Sequence, residues 1–145
     1  MFQDSDRIAI IARLLIGVPF LITGIGKITA PAAYLAYIAS VGLPVPPLCY
    51  AITIAVELGG GLLLIMGLQT RLIAAGLAAF TILAALVFHT GFADQNQLFH
   101  FLKNVVMAGG LLQVAAFGAG RFSLDARRTR AHGTTGSVGS SLATH

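Results

Sequence analysis

The sequence predicts an all-α integral membrane protein, a four-helix bundle with a short interfacial helix between the first and second spans. Three observations lead there. Of 145 residues, 57% are hydrophobic and only 10% are charged, against about 25% charged in a typical soluble domain. The mean hydropathy is +0.87. Four apolar runs, at 8–25, 50–68, 72–92 and 98–117, each supply the roughly 20 residues that carry a helix across a ~30 Å hydrocarbon core.

The first run follows Asp4, Asp6 and Arg7. A secretory signal starts with a basic segment instead, so this run is read as a retained span, although Ala30-Pro31-Ala32 imitates a cleavage site. Arg13, Gly17, Phe20, Gly24 and Lys27 fall on one helical face. The two glycines allow a neighbouring helix to approach closely. Arg13 is expected to reach headgroups or to cap the carbonyls of a neighbouring helix, with a functional charge as the alternative.

Pro31 suits the first position of a short helix and Gly42 its end, with Tyr34, Leu35, Ile38 and Val41 as its apolar face. Leu43-Pro44-Val45-Pro46-Pro47 cannot be helical throughout. Cys49 is the single cysteine, which excludes an intramolecular disulfide and a dithiol relay within one chain.

Glu57 lies inside the second span, followed by Gly59-Gly60-Gly61. An ionised carboxylate there needs a partner, and the glycines suggest close contact with a helix or ligand. The third span presents Arg71, Ala75, Ala78, Ile82, Ala85 and His89 on one face. The fourth opens with Asp94 and Gln97 at the spacing of a capping box. Gln97, His100, Lys103 and Asn104 then form a polar stripe entering an apolar helix from one end.

Arg7, Arg71, Arg121, Arg127, Arg128 and Arg130 flank the spans on one side, and Lys27 is the clear basic residue on the other. The positive-inside rule therefore places both termini in the cytoplasm. The net charge of +4 fits an anionic lipid leaflet better than a nucleic acid. Residues 1–125 read as one transmembrane domain. Residues 126–145, rich in Gly, Ser and Thr, read as a flexible cytoplasmic tail.

Depth along the spans puts Glu57, His89, His100, Lys103 and Asn104 in the outer half of the membrane, with Lys27 at the rim. The leading structural expectation is a Glu57–Lys103 ion pair, out of reach of Arg13. The plain alternative is a buried polar knot that only orders the helices.

Arg13-Leu14-Leu15 with Gly17, Gly24 and Lys27, then Glu57-Leu58-Gly59-Gly60, Arg71, Phe88-His89 and the block from Asp94 to Asn104 together resemble the DoxX family of small bacterial membrane proteins. The likeness spans residues 8 to 125, and the last block is its most specific part. It implies a four-helix inner-membrane protein associated with a respiratory or redox enzyme.

Three functions follow. The first is a membrane subunit of an oxidoreductase with a quinone site in the outer half. There His100, Lys103 and Glu57 act on the ligand and His89, Asn104, Gln97 and Lys27 help to bind it. His89 or His100 would relay a proton, Lys103 polarise a carbonyl, and Glu57 keep Lys103 charged. The second is a non-catalytic scaffold for a partner enzyme. The third is a protein that binds or moves a lipid or small solute, as an oligomer given its size. No haem or metal is expected, since histidines near helix ends more often contact headgroups or backbone. No glycine loop joins a strand to a helix, so nothing supports nucleotide binding.

Overall fold

The computed structural model describes residues 2–130. Among them the chain forms five helices and a short sixth, with no strand. α1 is Phe2–Thr29 and α2 is Pro31–Ser40. α3 is Pro46–Met66, α4 is Thr70–Phe88 and α5 is Gln95–Phe117. α1, α3, α4 and α5 are long and apolar enough to span a membrane. A final α6 covers 124–130. The expected tail therefore begins within helix, and residues 131–145 lie outside the described residues.

Proline and glycine punctuate the chain as expected. Pro31 opens α2, and Gly42 adopts φ +77° just beyond it, where a side chain would be strained. Pro46-Pro47 open α3 after Val45 in the left-handed region (φ 48°), a costly conformation for a β-branched residue. In the middle of α3, Ala55–Gly60 form a π-helical turn. This turn was not anticipated. Its cause lies in the glycines: a Cβ on Gly60 would meet Leu77 Cδ2 at 2.7 Å and one on Gly61 would meet the Gly17 carbonyl at 3.0 Å. Close contact from both sides favours bare backbone, and bare backbone holds a regular α-helix poorly.

Packing is uneven along the bundle. Leu64, Ala74, Leu77, Ala78, Ala108 and Leu111 make a dense core with Phe20, all in the half near the chain termini apart from Phe20, which borders the other half. There α1 lies against α3 through Gly17, whose Cβ position is 2.6 Å from Ile65 Cγ1. Such close approach supplies the dispersion contacts that hold helices together in lipid.

Polar groups tie that end together. Arg13 is 2% exposed and donates to the carbonyls of Ile65 at 3.2 Å and Phe122 at 2.7 Å. It caps a neighbouring helix, as one reading of the sequence held. Its guanidinium fills the space above Gly67, which has φ +67°. Buried Asp6 accepts from the Arg121 N–H at 2.9 Å. Asp125 accepts from the N–H groups of Gln69 and Thr70 and from the Thr70 hydroxyl, all within 2.7–2.9 Å. It thereby caps α4 from a distant part of the chain and stabilises Gln69 at φ 46°.

Removing Arg13 orphans two carbonyls that lipid cannot satisfy. Arg13→Ala should lower unfolding stability by about 3 kcal/mol in a mild-detergent melt. Asp125 offers a pH test. Burial alone would raise its pKa, but the Thr70 and Gln69 donors and the nearby Arg128 charge outweigh that and hold it below the ordinary 3.8. A depressed carboxylate stabilises the fold above its unfolded pKa and loses that contribution as pH falls through the folded one. Stability should therefore begin to drop below about pH 3.8, and Asp125→Asn should flatten that part of the pH–stability curve.

Candidate functional site

The half of the bundle opposite the dense core is hollow. A cavity of about 590 Å³ lies there between α1, α3, α4 and α5, with α2 over its end. Lys27, Glu57, His89, His100, Lys103 and Asn104 all line it. Gln97 does not, but it reaches His89 Nδ1 at 3.0 Å. Six of the seven residues singled out from the sequence thus share one chamber, and the seventh contacts it.

The pairing inside differs from the expected one. Glu57 is bonded to Lys27, whose Nζ lies 2.8 Å from both carboxylate oxygens. Lys103 instead contacts His100 Nδ1 at 3.2 Å. The π turn in α3 places Glu57 beside α1. There a Cβ on Gly24 would sit 3.4 Å from the Glu57 Cβ, so the missing side chain lets the two helices bring the ions together. Depth alone had put Lys103 level with Glu57 and could not say which helix Glu57 faces.

Lys27 is held from several directions. Its ammonium is 5.1 Å from the centre of the Tyr34 ring, and its backbone carbonyl accepts from the Tyr50 hydroxyl at 2.8 Å. The Lys27 and Glu57 side chains are 15% and 10% exposed, so the pair is largely desolvated.

Across the cavity the His89 and His100 rings stack, with centroids 5.0 Å apart and 19° between planes. Gln97, His89, His100 and Lys103 therefore form a connected polar row from the rim inward. The expected capping box does not form, although Asp94 does cap α5. Asp94 accepts from the Asn96 N–H at 2.9 Å, while its own N–H bonds the Gly91 carbonyl. Gln97 turns instead to His89, the residue that follows the end of α4.

Sequence reasoning missed much of the wall. Thr53, Phe80, Thr81 and Phe88 line the cavity, as does Tyr37, whose hydroxyl donates to the Phe88 carbonyl at 3.1 Å. Tyr34, Tyr37 and Ile38 sit at helical spacing on α2, and that spacing was the available signal. Thr23 and Lys103 line the cavity yet are exposed. The chamber therefore opens sideways between α1 and α5.

A model of the DoxX family matches residues 8–90. The chain belongs to the DoxX family. Inner membrane protein YqjF of Escherichia coli K12 is 38% identical over 125 residues, covering 86% of this chain and 95% of that relative. Inner membrane protein YphA of the same organism is 33% identical over 123 residues, covering 81% and 88%. No solved structure matches the chain. The family model includes Lys27, Glu57 and His89 but stops before Gln97, His100, Lys103 and Asn104. The likeness to YqjF, by its length, must run through them. This DoxX chain is thus a multi-pass membrane protein related to bacterial inner-membrane proteins.

The ion pair gives a direct test. Glu57→Gln or Lys27→Met leaves one buried charge alone and should cost about 3–5 kcal/mol of unfolding stability. Joining Lys27→Met with Glu57→Leu should recover most of it. If a Lys103→Met change were the more damaging single substitution in the same denaturation series, the pairing described here would be wrong.

Proposed function

We propose that the hollow half of the bundle binds the head of a lipid-soluble quinone, and that the chain is the membrane subunit of a redox enzyme. What carries this reading is a single chamber that combines two cations, a carboxylate, two stacked imidazoles and aromatic walls, with a side opening toward lipid. Pockets of a few hundred Å³, mostly apolar with a few convergent polar groups, are the usual form of small-molecule sites.

The residues present suit such a head. A quinone offers carbonyl oxygens as hydrogen-bond acceptors and takes up protons when reduced. Lys103 and Asn104 would donate to one carbonyl. Phe80, Phe88 and Met107 would flank the ring, and the isoprenoid tail would leave between α1 and α5. His100 would hold or pass a proton at its ring, with His89 and Gln97 continuing the row to the rim. Glu57 pairs with Lys27, in place of the role toward Lys103 expected from the sequence. With arginines concentrated at the other end, the positive-inside rule puts the termini in the cytoplasm and the chamber in the outer half.

Protein purified in mild detergent should carry extractable quinone. Lys103→Ala and His100→Ala should lose most of it, while the lipid-facing change Leu86→Ala keeps it. A wild-type preparation from quinone-replete membranes that carries none, and takes up none when it is added, would refute the proposal. If a soluble enzyme instead co-purifies unaffected by these changes, the chain acts as a scaffold.

A further inference from the structure

The charges around the chamber do not balance. Lys27 is neutralised by Glu57, which contacts it through both oxygens. Among the described residues Lys103 has no such partner. Its one hydrogen bond is to His100 Nδ1, and among the described residues no carboxylate is within ion-pair distance of it. The acid on its own helix, Asp94, is nine residues earlier, about 13 Å along the axis, and is engaged with the helix N-terminus. The other ionisable groups facing the chamber are Tyr34 and Tyr37 from α2, His89 after α4 and His100 from α5. With neutral imidazoles the chamber carries one net positive charge.

A lone ammonium within a spanning helix is expensive, and such charges pair with something. We propose that its partner is the ligand itself, an acidic ring such as a hydroxyquinone or related phenol that binds as its monoanion with the ionised oxygen against Lys103 Nζ. This rests on the quinone reading and narrows it. The aromatic rings of Phe80 and Phe88 and the thioether of Met107 in the lining suit a ring. The opening beside Lys103 and Thr23 would set the charged edge at the mouth and leave room for an apolar substituent.

The test compares lawsone, a hydroxynaphthoquinone ionised at neutral pH, with its uncharged methyl ether. Titration calorimetry would use wild-type protein in a nonionic detergent. Lawsone should bind about tenfold tighter or more, the scale of one partly screened charge pair. Lys103→Arg should keep that preference. Lys103→Gln retains a hydrogen-bond donor but no charge, so it should bind both ligands about equally, and its binding of the ether reports an intact site. Should Lys103→Gln bind neither, the wild-type ratio decides alone. Equal wild-type affinities, or a preference that survives Lys103→Gln, would overturn the inference and leave the quinone reading standing. Loss of lawsone binding, but not of ether binding, on adding phosphatidylglycerol would assign the countercharge to lipid phosphate and also overturn it. If neither ring binds to any form, both readings fall.

Discussion

A carboxylate buried in a hydrocarbon environment has to be compensated, and much of this structure follows from how Glu57 meets that demand. Its partner Lys27 comes from a different helix, so α1 and α3 must approach closely at one depth. Gly24 permits that approach from one side. The π turn permits it from the other by reorienting the α3 backbone at Glu57. Local irregularities of this kind are often found at functional sites. Here the irregularity has an identifiable physical cause in Gly60 and Gly61, each pressed against a neighbouring helix.

Compensation at that end leaves a hollow, whereas compensation at the other leaves a lock. Arg13, Asp6 and Asp125 all pair with backbone groups, which are fixed in place by the chain itself. Their bonds join the start of α1, the α3–α4 turn and the segment after α5. Around them small apolar side chains pack tightly. Around Lys27 and Glu57 the neighbours are aromatic, hydroxyl and imidazole groups, which leave a chamber that a core of leucines would fill. One end of the bundle is therefore locked and the other hollow.

Family membership adds to this picture within limits. The match to DoxX proteins and the likeness to YqjF and YphA concern inner-membrane proteins whose names state no activity. A fold hosts many functions, and the chemistry must be read from the site. The positions of His100 and Lys103, beyond the family model but within the longer likeness, carry the ligand-facing part of the reading.

The sequence by itself determined the class of the protein and picked out the charged and imidazole groups that line its cavity. Apolar length sets the four spans, because lipid requires each spanning segment to satisfy its own backbone. An ionisable residue inside such a segment is costly enough to be conspicuous, so Lys27, Glu57, His100 and Lys103 could be selected and placed by depth from spacing alone. Only the tertiary structure decided who pairs with whom. Depth is one coordinate, and pairing also needs each helix's rotation and its neighbours, which depend on contacts distant in sequence, such as Gly24 against Leu58 and Gly60 against Leu77. The same holds for Gln97, which periodicity assigned to Asp94 and a histidine beyond the neighbouring helix claimed instead.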